Sequence, residues 1–329
     1  MTTDLRTRAA ELDASDPLRH TRDLYLPSAG LVAYLDGNSL GRPLRTTAER
    51  ITRLVEHDWA DRLIRSWDEQ WMQLPLRLGD RIGEVCLGAA PGQTVVGDST
   101  TVMLYKLLRA AVAAAGPQRP EIVLDTENFP TDRYVAEGIA AETGAELVWL
   151  EPDPAKGVTP DLLAPVLTDR TGVVLLSHVA YKSAWIADLP EITRLAHEAG
   201  ALVLWDLCHS VGVVASDLDA HGVDLIESVG LGAVRDKAAG LGRFVIAAVD
   251  ERLARLGVRL VSPREDATRG GHVTITHEDF REVYRALWDE DVVPDFREPD
   301  GIRLGLSPLS TSYGEVAEAL LRIEAALTR

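Results

Sequence analysis

The chain has 329 residues, 46% of them hydrophobic and 26% charged, enough for one large domain with a smaller one beside it. A net charge of -17 excludes the basic footprint that nucleic acid or an anionic membrane surface would need. Two cysteines, Cys86 and Cys208, exclude a disulfide framework, no apolar run approaches the length of a membrane span, and the opening residues show no secretory pattern, so a cytoplasmic protein is expected.

Residues 1–45 read as a polar, helix-prone arm ending in Tyr34-Leu-Asp-Gly-Asn-Ser-Leu-Gly41, where Gly and Asn mark tight turns. Strand and helix signals then alternate. Strands are expected at Thr94–Gly97, Glu121–Asp125, Glu146–Trp149, Gly172–Ser177 and Ala201–Asp206, with helices at about 101–115, 131–143, 160–168 and 189–199. Such alternation indicates βαβ units and a mostly parallel sheet. After about residue 225 the texture changes. A long helix at about 228–256 is followed by short strands at Val258–Ser262, Gly271–Thr276 and Gly301–Leu306, interleaved with helices near 278–289 and 313–328, which suggests a small α+β domain. The expected division is therefore an arm over 1–45 that contributes to the small domain, a large α/β domain over 46–230, and the small domain over 231–329.

Four elements of this pattern carry polar chemistry. Val96-Gly-Asp-Ser-Thr-Thr101 turns into a helix through small hydroxyl residues; free N–H groups there make an anion site, although an ordinary N-cap has the same look. Asn128-Phe-Pro-Thr-Asp132 follows the strand at 121–125 and offers an aromatic plate and an acid, or simply a helix start with Pro130 near its first position. Ser177 closes the next apolar strand. Asp206 closes the run Ala201-Leu-Val-Leu-Trp-Asp206, with His209 just beyond. A carboxylate at the end of a buried strand is costly without a cation or donors, and ligands of open α/β sheets sit past the carboxyl ends of the strands. Phosphate donors, a plate, an acid and an imidazole at one sheet edge fit pyridoxal 5′-phosphate, whose protonated ring nitrogen supplies the cation that Asp206 needs.

The chain resembles kynureninase, a fold-type-I pyridoxal-phosphate enzyme with a class-V aminotransferase-like fold. The resemblance rests on Tyr34–Gly41, Leu63-Ile-Arg-Ser-Trp67, Val96–Thr101, Phe129-Pro-Thr-Asp132, Trp205-Asp-Leu-Cys-His-Ser210 and Ile302-Arg-Leu-Gly-Leu-Ser-Pro-Leu309, in family order along most of the chain. It implies a mostly parallel sheet flanked by helices, a homodimer, and hydrolysis of the Cβ–Cγ bond of L-kynurenine, or its 3-hydroxy form, to anthranilate and L-alanine in tryptophan catabolism. It also implies that Thr100 and Thr101 bind the phosphate, that Phe129 stacks on the ring, and that Asp132, Ser177, Asp206 and His209 hold the cofactor. Asp206 would tune the ring and Arg303 would grip the substrate carboxylate, a bidentate task suited to guanidinium.

The family's Schiff-base lysine has no counterpart in sequence. Of Lys106, Lys156, Lys182 and Lys237, only Lys237 lies beyond Asp206, in a segment that reads as a helix with a solvated lysine. A block carrying the lysine, its neighbouring tyrosine and further site residues is expected to be missing near Leu225–Ile226. Two functional classes stay open beside a recruited Lys237: a hydrolase of the kynureninase type, and an inactive relative that binds pyridoxal phosphate or a partner without turnover. A cysteine desulfurase is a third possibility, disfavoured because Cys208 lies in the cofactor turn and Phe129 holds the stacking position.

Overall fold

The computed structural model describes residues 4–222, 225–227 and 233–329. They fall into two compact units: Gly79–Gly232 with Ser262–Gly270, and Met1–Leu78 with Ala233–Val261 and Gly271–Arg329.

The first unit is built on a sheet of β1 (Glu121–Asp125), β2 (Glu146–Leu150), β3 (Thr171–Ser177), β4 (Leu202–Asp206) and β5 (Leu225–Glu227). The strands stand in the order β2-β1-β3-β4-β5, and all neighbours are parallel. Helices α1 (Thr100–Ala115), α2 (Pro130–Thr143) and α3 (Leu189–Glu198) connect or flank them. Side chains alternate across each strand and so feed two cores. Val123, Val174, Val203 and Trp205 pack with Leu189, Ile192 and Ala196 of α3. Ile122, Leu124, Val173, Leu175 and Leu204 pack with Leu104, Leu108 and Ala111 of α1 and with Ala136 and Ile139 of α2. Burial on both faces is why these strands read as continuous apolar runs.

Thr94–Gly97 was expected as a strand but is irregular. Gly79 and Gly83 leave room for Thr94: a Cβ on Gly79 would lie 2.1 Å from the Thr94 carbonyl oxygen, and one on Gly83 would lie 2.6 Å from its hydroxyl. The segment thus packs on a glycine-lined helical surface, where its backbone has no strand partner among the described residues. The helix expected over 160–168 is two short pieces, Pro160–Leu163 and a tight turn over Ala164–Val166.

The second unit holds an antiparallel sheet of β6 (Arg259–Leu260), β7 (His272–Thr276), β8 (Asp295–Arg297) and β9 (Gly301–Gly305) in the order β8-β9-β7-β6. One face, with Val273, Ile275, Ile302 and Leu304, packs on α4 (Ala233–Ala248), α5 (Phe280–Asp289), α6 (Tyr313–Leu327) and the N-terminal helix Leu5–Ser15. The long helix expected from 228 is α4 followed by wider helical turns to Leu253 and a tight turn to Leu256; residues 228–232 lie outside the described residues. Ala33–Tyr34, leading into the first motif, pairs in parallel with Val292–Val293.

Candidate active site

Ser177 and Asp206 end β3 and β4 in direct register. The alternation that points Leu175 and Leu204 toward α1 turns both polar side chains to that same face. Asp206 is buried. Its Oδ1 accepts the Cys208 N–H at 2.8 Å, which closes the turn after β4, and its Oδ2 lies 3.2 Å from the Ser177 hydroxyl. Ser177 Oγ is closer, at 2.8 Å, to Asn128 Oδ1. Asn128 is buried too; its Oδ1 accepts the Phe129 N–H at 2.7 Å and its Nδ2 donates to the Leu175 carbonyl at 3.3 Å.

Phe129 opens α2, with Pro130 in the first turn where its missing N–H costs nothing. Asp132 is buried in that same turn. The Phe129 ring meets Tyr181 edge-on with centroids 5.2 Å apart, and His209 lies 6.2 Å from Phe129 and 6.5 Å from Tyr181. Thr100 opens α1 and reaches the same turn from the other side, its Oγ1 3.8 Å from Cys208 Sγ; Thr101 follows it and is exposed. The Ser99 N-cap makes no side-chain bond to the helix, so the leading N–H groups of a 16-residue helix keep their donor capacity and dipole field for an anion. A buried carboxylate at a strand end, an aromatic plate and a helix start with open N–H donors fit pyridoxal phosphate.

Burial is the main cause of a shift in two neighbouring groups. Asp125, which ends β1 and accepts the Glu127 N–H at 3.0 Å, is pushed up to about 7. His178, beside the Trp205 ring, is pulled down to about 4 and is neutral at pH 7.

Arg303 lies in the second unit. It is buried on β9, opposite Thr274 and Asp295, and its Nη2 is 2.6 Å from Asp295 Oδ2 and 3.9 Å from Asp36 Oδ1. Arg297 shares Asp295 at 2.6 Å. Desolvation lowers the Arg303 pKa and Asp295 opposes that shift, while burial raises Asp36. Asn38, from the Tyr34–Gly41 motif, bonds His272 at 3.3 Å. The expected carboxylate-binding arginine thus stands in a prepared acidic setting.

Lys237 is not the solvated helix lysine expected from sequence. It is buried on α4, with Nζ 2.7 Å from Asp16 Oδ2 and both side chains at most 3% exposed. Nothing near Lys237 in the chain points to this pair, because Asp16 is distant along it. Lys182 pairs with Glu127 at 2.6 Å and lies 5.7 Å from the Tyr181 ring centre; Lys106 is exposed near Asp98. Sequence reading also missed Asn128 and Tyr181. Asn128 stands in the loop before a Pro-led helix, a common place for an amide that bonds backbone, but nothing local shows that it reaches β3.

Residues 86–230 match the family model for aminotransferase class-V, and residues 234–323 match the kynureninase C-terminal domain. The kynureninase of Pseudomonas fluorescens is 32% identical over 96% of this chain and 94% of its own length. That of Burkholderia pseudomallei (strain K96243) is 30% identical over the same shares. The chain belongs to the kynureninase family. Among solved structures, a NifS-like protein superposes with a TM-score of 0.76 at 13% identity, covering 90% of this chain and 99% of that one. Cysteine desulfurase from Thermococcus onnurineus NA1 gives 0.75 at 14% identity, covering 97% and 98%. At such identities these two show the shared fold of this kynureninase-family chain. The alignment to the P. fluorescens kynureninase spans 399 positions against 329 residues here, so at least 70 positions (399 less 329) are filled by the relative alone.

Proposed function

We propose that this chain binds pyridoxal 5′-phosphate at the β3–β4 edge and acts as a kynureninase-type hydrolase on L-kynurenine or its 3-hydroxy form, releasing anthranilate and L-alanine. The observation that carries this reading is the buried Asp206 at the end of β4, braced by Cys208 and in register with Ser177, in a chain of this family. Bound there, the cofactor would supply an electron sink for the bond broken. Asp206 would hold the proton on the ring nitrogen. Thr100, Thr101 and the start of α1 would hold the phosphate, Phe129 would cover the ring, and Asp132, Ser177 and His209 would fix its edge. Arg303 would hold the substrate α-carboxylate, its buried guanidinium already paired with Asp295 and so oriented in advance.

The missing positions are assigned to the junction beside β5, where the aminotransferase match ends at 230 and the kynureninase C-terminal match starts at 234. The family's lysine would go with them, and Lys237 is engaged by Asp16. A positioned acid–base group is typically worth about 10²–10⁴-fold in rate. Turnover is therefore expected to run slower than in the P. fluorescens relative by about that factor, with cofactor binding retained. Absorbance titration with pyridoxal phosphate and an anthranilate fluorescence assay test both parts. Spectral binding with slow, cofactor-dependent anthranilate release supports the proposal. Binding without release selects the non-catalytic relative, and no binding overturns the reading.

The cytoplasm is the proposed location, in keeping with the absence among the described residues of any helix long and apolar enough to cross a membrane. The active form is proposed to be a homodimer. Support comes from the stretch after the arm, where Trp59, Ile64, Trp67 and Met72 are each at least half exposed, more apolar surface than a monomer of this charge needs. Residues 1–45 are assigned to the small domain, in keeping with the Ala33–Tyr34 pairing to Val292–Val293.

A further inference from the structure

We propose that Asn128 is a positioning residue that draws the Ser177 hydroxyl proton away from Asp206 and so leaves the Asp206 carboxylate open to a cationic N–H donor. The inference rests on the cofactor reading above for its purpose, but its geometry stands in the free chain.

The orientation of the Asn128 amide is fixed by its neighbours. The Phe129 backbone N–H, 2.7 Å away, can only donate, and the Leu175 carbonyl, 3.3 Å away, can only accept. The end that faces Ser177 is therefore oxygen. Ser177 has one hydroxyl proton and two acceptors in reach, Asn128 Oδ1 at 2.8 Å and Asp206 Oδ2 at 3.2 Å. A hydroxyl donating to an ionised carboxylate contracts to about 2.5–2.7 Å, whereas about 2.7–2.8 Å is the ordinary neutral bond. The proton therefore lies toward Asn128. Asp206 is left with the Cys208 N–H on Oδ1 and keeps Oδ2 clear of the hydroxyl proton, in a buried setting where a carboxylate needs a cation or a donor. Without Asn128, the hydroxyl would rotate to Asp206 and compete for the oxygen the ligand needs. The same Asn128 oxygen holds the Phe129 N–H, so one buried amide sets both the acid and the plate.

Two double-mutant cycles test this. In pyridoxal-phosphate titrations, Asn128→Ala is expected to weaken binding about tenfold, the scale of one hydrogen bond to a charged group. Ser177→Ala removes a cofactor contact of its own, and Asn128→Ala made on that background is expected to change binding by less than about threefold, because the competing hydroxyl is gone. A tenfold loss from Asn128→Ala on the Ser177→Ala background as well would mean that Asn128 acts by packing alone, and unchanged binding in Asn128→Ala would remove its role; either overturns the proposal. The second cycle uses urea unfolding of the free chain. Asn128→Ala and Ser177→Ala should be non-additive, whereas Ser177→Ala and Asp206→Asn should add. Coupling of Ser177 to Asp206 instead of Asn128 overturns the proposal without reference to the cofactor. Failure of the parent chain to bind pyridoxal phosphate, with the second cycle as expected, would sink only the cofactor reading.

Discussion

Asp125 is the residue whose protonation folding changes most plainly. Desolvation raises its carboxyl from 3.8 to about 7, so between those values the folded state keeps a proton that the unfolded chain releases. Stability therefore falls as pH rises from about 4 and levels off above about 7. His178 has the opposite sense: its folded value of about 4 lies below the ordinary 6.5, and its contribution is lost as pH falls through that window. The two slopes oppose each other in acid, so the parent curve alone cannot separate them. Asp125→Asn keeps an acceptor for the Glu127 N–H and removes one slope. Urea unfolding at pH 5 and pH 8 should show the variant gaining on the parent by up to a few kcal/mol at the higher pH, at about 1.4 kcal/mol per pKa unit. A constant difference would refute the assignment. The placement of Asp206, Ser177, Phe129 and His209 at one sheet edge was legible in sequence because each stands at or just past the end of a strand. Asn128 and the Lys237 partner were not, since each is defined by an atom on a segment distant in the chain.

Among the elements, α4 is tied to the N-terminal helix by the Lys237–Asp16 pair. Removing one member of a buried pair strands the other, at about 3–5 kcal/mol, whereas removing both is far milder. Lys237→Met should accordingly unfold at markedly lower urea, and Lys237→Met with Asp16→Asn should recover most of the loss. If Lys237 instead served the cofactor, borohydride reduction of the loaded protein would leave a pyridoxyl group on it; no such adduct is expected. Helix α6 is held twice at its start. Ser312 and Glu315 form a reciprocal capping box, and Asp13 accepts the N–H groups of Tyr313 and Gly314 at 3.0 and 2.9 Å. Ser312→Ala should cost about 1 kcal/mol in unfolding free energy. The buried strands β1, β3 and β4 were visible as apolar runs, since burial on both faces permits little else. The short strands β5 and β8 were not, because three residues carry no periodicity to read.

At the scale of the molecule, alternating strands and helices were enough to announce a parallel sheet between helical layers, and the motif order announced the family. Composition alone does not tell a chain that has lost an internal block from one that has not; the order of the motifs and the longer relatives do. For the proposed homodimer, sedimentation should give a particle of twice the 35.8 kDa chain mass, and Trp67→Glu should shift it toward the monomer without loss of helix signal.

Arg119 lies at the far end of the large sheet from the chemistry. Its Nη1 donates to the Thr171 carbonyl at 2.9 Å and the Ala199 carbonyl at 2.7 Å, one at the start of β3 and the other just before β4. The two central strands are thus clamped at their roots like paired cantilevers, and their tips carry Ser177 and Asp206. Motion in such a device concentrates at the free end, and a ligand that spans the tips damps it. Hydrogen exchange should therefore slow on cofactor addition at residues 177–178 and 207–210 and stay unchanged around Arg119, Thr171 and Ala199.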